Sequence, residues 1–412
     1  MAEFNDIIVG LDIGTTKVCT VISQVRENGL EVIGVGTAPS YGLRKGVVVN
    51  IDATVESITK SVEDAEIMAG VEVESVYAGI AGNHIKGINT RGMVAISSRN
   101  REITSADVDR AIDAARTIAI PTDREIIHIF NQEFKVDDQD GVKDPVGMSG
   151  GRLEVEVHIV TGAVTSSENI IKSVNRAGYK VEDIVLQSYA SALACMSDED
   201  REMGGVMVDV GGGTIDILMY INGSVWHSAV LPLGGNNITN DIAIGLRVPT
   251  TFAEDIKRKH AVAYRELIRD NAELELSAVA GKESRKCRLS DLTEITEPRM
   301  VELLGLVRKE IEMTGFADLL AGGVLMTGGG SLLPGVAELS EQILRLPSRL
   351  ANPRNIGGLV DVVSSPVFST GVGLCLYGYK SNGETRMTPV VKDGDKIRNA
   401  MGNFVKWVKE YF

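Results

Sequence analysis

A dense apolar run at residues 7–13 (IIVGLDI) is too short for a helix and stops at Gly14-Thr15-Thr16, which predicts a buried strand ending in a tight turn. Apolar stretches at 17–25 and 30–37 follow, separated by Asn28-Gly29, a dipeptide suited to a hairpin turn. Val55, Ile58, Val62, Ala65 and Ala69 then recur at helical spacing, so a helix with one apolar face starts near Asp52. The second half of the chain repeats this order. Residues 205–210 read as a strand, Gly211-Gly212-Gly213 as its turn, and 214–221 and 224–231 as strands either side of Asn222-Gly223. A helix begins near Asn236. Both openings place an aspartate at the strand end, two residues before a turn glycine, and hydroxyl or lysine donors after it. The repeat spans a whole domain, unlike the short period of a solenoid.

Two segments interrupt this duplicated α/β core. In residues 85–162, Thr104-Ser105 can cap a helix through Val108, Ile112 and Ala115, and residues 153–160 alternate like a half-buried strand. That composition predicts an inserted α+β subdomain. Residues 249–308 are charged and helix-rich, and residues 380–394 read as a flexible linker. The resulting division is 1–84 and 163–203 for the first lobe, and 204–248 and 309–379 for the second lobe and its return to the first. Residues 395–412 form the tail.

That tail has its own pattern. At 100° per residue, Ile397, Met401, Phe404, Val405, Trp407, Val408, Tyr411 and Phe412 fall within an arc of about 160°. Arg398, Lys406 and Lys409 lie on or beside the other face, which predicts an amphipathic helix lying on a membrane. Burying such side chains contributes roughly 1.5–3 kcal/mol each, while ordering the backbone costs on the order of 1–2 kcal/mol per residue. A single tail therefore binds weakly, and linked tails bind firmly.

Charge changes the picture. The net charge is −14, which disfavours a nucleic-acid partner. Residues 380–412 carry seven Lys/Arg against four Asp/Glu, so a basic tail follows an acidic body and points at an anionic surface. Cys19, Cys195 and Cys375 sit in apolar periodic segments and are expected to be reduced core thiols. No basic n-region opens the chain and no run of 18 apolar residues occurs, so a cytoplasmic body is expected.

The chemistry is concentrated at the two turns. An aspartate at the end of an apolar strand is costly to bury without compensation. In Asp12-Ile13-Gly14-Thr15-Thr16-Lys17 the glycine lets backbone N–H groups approach an anion, and Thr15, Thr16 and Lys17 add donors. The second copy, Asp209-Val210-Gly211-Gly212-Gly213-Thr214, could close on the same ligand. Asp12 and Asp209 would hold Mg²⁺ through its water shell, since magnesium takes only one or two carboxylates. No Gly-Lys-Ser/Thr follows a glycine-rich turn, which excludes P-loop chemistry. A third cluster, Gly328-Gly329-Gly330-Ser331, follows an apolar strand and offers a flat backbone surface to a purine ring.

Together these motifs resemble the actin, heat-shock-chaperone and sugar-kinase ATPase superfamily, with duplicated actin-like (ribonuclease-H-like) lobes. Within it the chain resembles the FtsA family of bacterial cell-division proteins, on residues 10–17, Asp144-Pro145-Val146-Gly147-Met148-Ser149-Gly150, 208–214, Glu297-Pro298-Arg299 and 369–374. The resemblance implies ATP between the lobes, with Glu254 and Lys257 facing the ribose and adenine and Gln187 positioning water in, at most, a slow ATPase. It further implies filament formation and binding of the FtsZ C-terminal peptide by residues 249–308, with Arg299 and Glu302 as contacts. It leaves room for further division proteins as partners, and it places the protein at the septum on the cytoplasmic face of the inner membrane. The alternative is a small-molecule (sugar-type) kinase, which would need a base in the cleft and has no use for an amphipathic tail. A chaperone ATPase would need a peptide-binding domain, and the 32 residues after Lys380 are too few.

Overall fold

In the first lobe, β1 (Ile7–Ile13), β2 (Lys17–Arg26) and β3 (Gly29–Pro39) form an antiparallel meander with Asp12 opposite Cys19. β1 is buried nearly end to end, as expected of a strand covered on both faces. The computed structural model describes residues 7–387 apart from 28, 99, 118–119, 270 and 277–284, so the predicted tail helix lies outside the described residues. A short hairpin, β4 (Leu43–Arg44) and β5 (Val47–Val48), leads into α1 (Ile51–Ala69). Asn50 caps α1 by accepting the Ala53 amide, and Gly70 ends it at φ 68°. A Cβ on Gly36 would lie 1.9 Å from the Ser61 carbonyl, so glycine is what lets α1 approach β3 so closely. β6 (Ser75–Ile80) then pairs parallel to β1.

The insertion follows as β7 (Lys86–Ala95), α2 (Ser105–Arg116), β8 (Arg124–Val136), β9 (Gln139–Val142) and β10 (Arg152–Ala163). Its sheet runs β7-β10-β8-β9, antiparallel throughout. Thr104 and Asp107 form a capping box on α2. Ile103, Ala111, Phe134, Leu153, Val155 and Val157 give the insertion its own core. α3 (Val164–Arg176) and β11 (Lys180–Leu186) complete the first lobe, and α4 (Gln187–Cys195) and α5 (Asp198–Glu202) follow.

The second lobe repeats the plan with β12 (Gly205–Val210), β13 (Ile215–Ile221) and β14 (Ser224–Leu231). α6 (Gly235–Leu246), α7 (Thr250–His260), the hairpin β15 (Glu273–Leu276) and β16 (Arg285–Arg288), and α8 (Leu289–Met313) form its helical side. Next come β17 (Gly323–Thr327), α9 (Val336–Leu344), β18 (Ser348–Leu350), β19 (Gly357–Gly358), α10 (Val360–Val363) and α11 (Ser369–Met387). The sheet order β14-β13-β12-β17-β18 matches β3-β2-β1-β6-β11, with the same alternation of antiparallel and parallel pairs. The repeat read from the sequence is thus a duplicated five-stranded core, and β19 adds to the edge of β3.

Two expectations need correction. Residues 380–387 are helical rather than linker, because α11 continues to Met387. Extending an established helix adds a hydrogen bond per residue, and Gly383 costs only about 1 kcal/mol against that. α8 likewise runs past residue 308 to Met313, through Pro298. All four cysteines are buried and unpaired, Cys287 included. Among the described residues no helix is long and apolar enough to cross a membrane.

Candidate functional site

The β1–β2 and β12–β13 turns open onto one cavity of ≈ 730 Å³. Asp12, Gly14, Thr15, Thr16 and Lys17 line it from one side, and Asp209, Gly211, Gly212, Gly213 and Thr214 from the other. The turns are built alike: the Gly14 amide donates to the Lys17 carbonyl at 3.0 Å, and the Gly211 amide to the Thr214 carbonyl at 2.9 Å. They also meet. A Cβ on Gly212 would lie 1.8 Å from Thr16 Oγ1, and one on Gly213 would lie 2.7 Å from Thr15 Oγ1. The first turn of α6 braces the second loop, with the Gly235 and Asn236 amides donating to Gly211 and Gly212.

Three carboxylates sit beside these turns. Burial pushes Asp12 up to about 6, with Lys17 opposing and Asp209 adding to the shift. Burial also raises Asp209, despite bonds from the Ser191 hydroxyl (2.6 Å) and the Thr370 hydroxyl (3.2 Å). Asp216, directly opposite Asp209 in the β12–β13 ladder, is raised to about 8, by burial first and then by Asp209. Its Oδ2 accepts from Thr214 Oγ1 at 2.8 Å, while its Oδ1 has no partner. Asp216 was not anticipated, although a lone acid inside the apolar run of β13 is the signal that marks it. Arg258, Thr370 and Asn236 also line the cavity and were missed.

Gln187 starts α4 with its side chain buried, and its Nε2 donates to Asp12 Oδ1 at 3.1 Å and to the Ile13 carbonyl at 3.4 Å. Lys17 points elsewhere than expected. Its Nζ donates to the Val367 carbonyl at 2.7 Å and lies over the Phe368 ring, so its charge, rather than a hydrogen bond, reaches Asp12.

On the far side Glu254 and Lys257 line the cavity from α7. Lys257 Nζ donates to Glu254 Oε2 (2.6 Å) and Thr239 Oγ1 (2.8 Å), tying α7 to α6. Burial pushes Glu254 up, yet the bonds it accepts from Lys257 and from the Thr239 hydroxyl outweigh burial and hold the carboxyl below its usual range. The glycine loop is less uniform than its sequence. Gly328, at φ 81°, would put a Cβ 2.2 Å from Asp209 Oδ1, and Gly330 would put one 2.5 Å from Val210 Cγ1. Only Gly329 has open space, with its nearest neighbour at 3.9 Å. Ser331 does not line the cavity; it is buried behind the loop and donates to the Gly328 carbonyl at 2.7 Å.

Comparison with known proteins fits this geometry. The family model of the cell division protein FtsA matches residues 206–373, and that of the SHS2 domain inserted in FtsA matches residues 82–161. The cell division protein FtsA of Pseudomonas aeruginosa is 46% identical over 378 residues, covering 92% of this chain and 90% of that one. The chain belongs to the FtsA family. FtsA of Borreliella burgdorferi is 41% identical over 99% of both chains, and FtsA of Escherichia coli K12 is 34% identical over 98% of both. Among solved structures, the PilM-PilN type IV pilus biogenesis complex shares the fold at TM-score 0.65 and 17% identity, covering 90% of this chain and 98% of that one. MreB5 of Spiroplasma citri bound to ADP does so at TM-score 0.58 and 12% identity, covering 93% and 99%. The fold is actin-like with an inserted SHS2 domain, and the family match sets the sugar-kinase reading aside.

In this chain the residues expected to meet a partner are already engaged. Arg299 forms a two-pronged pair with Asp241 of α6 and a further bond to Glu302. The guanidinium is therefore a tie between α8 and α6, and binding an acidic peptide would require exchange of these partners.

Proposed function

We propose that this chain binds Mg²⁺-ATP in the interlobe cavity, polymerises on the cytoplasmic membrane at the septum and anchors FtsZ filaments there. The observation that carries the nucleotide reading is the pair of identically bonded aspartate turns facing each other across one cavity. The fold supports it, since solved structures of MreB5 hold ADP and AMPPNP. The turns Gly14–Lys17 and Gly211–Thr214 would take the phosphates through the backbone amides that follow Gly14 and Gly211, whose own N–H groups close the turns, and Glu254, Lys257 and Gly328–Gly330 would take the adenosine. Buried carboxylates with an orphaned oxygen on Asp216 fit a divalent cation. Asp12 and Asp209 would hold it through water, since magnesium keeps several waters and takes only one or two carboxylates. The cation would neutralise phosphate charge. Gln187, bonded to Asp12, would orient a water at the phosphate end, consistent with slow hydrolysis at most.

Residues 249–308, with Arg299 and Glu302, would receive the FtsZ C-terminal peptide. The apolar arc of Ile397, Met401, Phe404, Val405, Trp407, Val408, Tyr411 and Phe412, flanked by Lys406 and Lys409, would enter the anionic membrane surface. Titration of a fluorescent ATP analogue tests the nucleotide reading. Asp12→Ala and Asp209→Ala should each weaken binding strongly in Mg²⁺, and unchanged affinity in both would overturn it.

A further inference from the structure

The inserted domain is attached to the first lobe by its chain connections and by side chains. Arg124 donates to the carbonyl of His84, at the end of the first-lobe segment, at 2.8 Å. His128 Nε2 accepts the Leu186 amide at 3.0 Å, and the ring packs against Phe130, Tyr189 and Tyr377. Leu186 immediately precedes Gln187, whose amide touches Asp12 in the cavity. The base of the insertion therefore grips the backbone one residue from the candidate site.

The same insertion also holds the second lobe. β14 is an outer strand of that lobe's sheet, and its ladder with β13 slips by one residue, leaving Trp226 unpaired in the register. Such a bulge turns a carbonyl out of the ladder. Asn89 Nδ2 donates to that Trp226 carbonyl at 3.2 Å, and Gln132 Nε2 donates to the Val225 carbonyl at 3.1 Å. Ser224 Oγ donates back to the Gln132 carbonyl at 3.0 Å. Between these, His158 Nδ1 lies 2.5 Å from Asn89 Oδ1, and His158 Nε2 lies 2.8 Å from Ser228 Oγ.

The chemistry sets the direction of every bond. Asn89 Oδ1 can only accept, so His158 carries its proton on Nδ1, and Nε2 must accept from the Ser228 hydroxyl. The circuit leaves β14 at Ser228, crosses His158 and Asn89, and returns to β14 at Trp226. Burial lowers the His158 pKa to about 3, which keeps the ring in this neutral form. The fit is tight: a Cβ on Gly87 would lie 2.5 Å from the His158 ring and 2.7 Å from Ser228 Oγ. His158 and Ser228 resemble a base and nucleophile in spacing, but both are buried, so the arrangement is a fastening.

We propose that the inserted domain is a strap across the two lobes, in which Asn89, Gln132 and His158 hold β14 and His128 holds the Leu186–Gln187 step, so that its docking is coupled to retention of nucleotide in the cavity. This rests on the nucleotide reading above. A ligand that closes the lobes would tighten the strap, and by linkage an opened strap weakens ligand binding; because the strap also bars the lobes from parting, the weakening falls on the rate of ligand release.

The test uses the full chain with Ser228→Ala, Asn89→Ala and the double variant, and with Gly87→Ala as an independent lesion. Hydrogen exchange of residues 86–95 and 224–231 reports the strap, and displacement of a fluorescent ATP analogue reports release. The expected result is faster exchange at β14 in every variant and nucleotide release at least severalfold faster. The double variant should change little beyond the worse single, since either lesion opens the circuit. In wild type, nucleotide should slow exchange in both segments. Faster exchange with unchanged release would overturn the coupling, and unchanged exchange would overturn the fastening itself. A wild type that binds no nucleotide overturns the nucleotide reading and the coupling together, while the exchange arm still decides whether the insertion is fastened to β14.

Discussion

Asp216→Asn gives the sharpest test of the carboxylate cluster. Asp216 is 3% exposed and its carboxyl is raised from 3.8 to about 8. In the folded chain without ligand it keeps its proton at neutral pH, whereas the unfolded chain loses it above about 4. Its stability contribution is therefore intact below the unfolded value and is lost as pH rises toward the folded one. Between 3.8 and pH 7 lie roughly three units at 1.36 kcal/mol each, an upper bound of about 4 kcal/mol of destabilisation. Asparagine matches the protonated shape, and its carbonyl can still accept from Thr214. The variant should thus melt several degrees above wild type at pH 8 in EDTA, and the difference should vanish near pH 4. Mg²⁺-ATP should raise the melting temperature of wild type more than that of the variant at pH 8, because a cation beside Asp216 would favour the ionised carboxylate, a form asparagine cannot supply. The assay is thermal unfolding followed by circular dichroism at several pH values, with and without Mg²⁺-ATP. A variant less stable than wild type at pH 8, or offset by the same amount at pH 4 and pH 8, would refute the reasoning.

Gly328→Ala should lower the melting temperature, since its φ of 81° and its 2.2 Å approach to Asp209 leave no room for a Cβ, at a cost on the order of 1–3 kcal/mol. Gly329→Ala should leave stability unchanged and weaken only nucleotide binding, as a parallel titration of the two variants will show. His128, lowered to about 4 by burial, makes the fold lose stability as pH falls from 6.5 toward 4, by about 3 kcal/mol at most; urea unfolding of His128→Gln should show a shallower acid slope than wild type, and an equal slope would count against it. Trp407→Glu should release the chain from anionic liposomes in co-sedimentation without altering ATP affinity, because a charge at membrane depth costs about 2.5–3.5 kcal/mol; a variant that still sediments but melts earlier would refute the membrane reading.

What the sequence revealed was whatever local pattern encodes. Strands β1, β12 and β14 and the cap at Thr104 follow from runs and turn residues a few positions apart, and so does the repeat. The distant pairings were not legible. Lys17 bonds a carbonyl 350 residues away, and Arg299 meets Asp241 across 58 residues, so neither partner shows in any short window. The glycines at 328 and 330 were read as a purine surface, yet their main constraint is the end of β12 behind them. Residues 380–387 have a linker's composition but inherit helix from the segment before them.

The duplication also hides an asymmetry that bears on chemistry. In the first hairpin Asp12 faces Cys19, a thiol that burial keeps neutral, and the turn ends in Lys17. In the second hairpin Asp209 faces Asp216, and the position of Lys17 is taken by Thr214. One turn therefore carries an acid and a lysine of its own, and the other carries two acids, of which Asp216 holds its proton at neutral pH until a cation displaces it, and no lysine of its own. Coulomb interactions are strong in such a buried setting. A divalent cation would consequently be drawn toward the Asp209 side, which would leave the first turn, near Lys17, as the better seat for phosphate. On this argument Asp209→Asn and Asp216→Asn should reduce the dependence of ATP affinity on Mg²⁺ more than Asp12→Asn does, measured as the ratio of dissociation constants in Mg²⁺ and in EDTA. Equal ratios in all three variants would mean that the two turns act as symmetric copies, and the sequence difference between them would carry no electrostatic role.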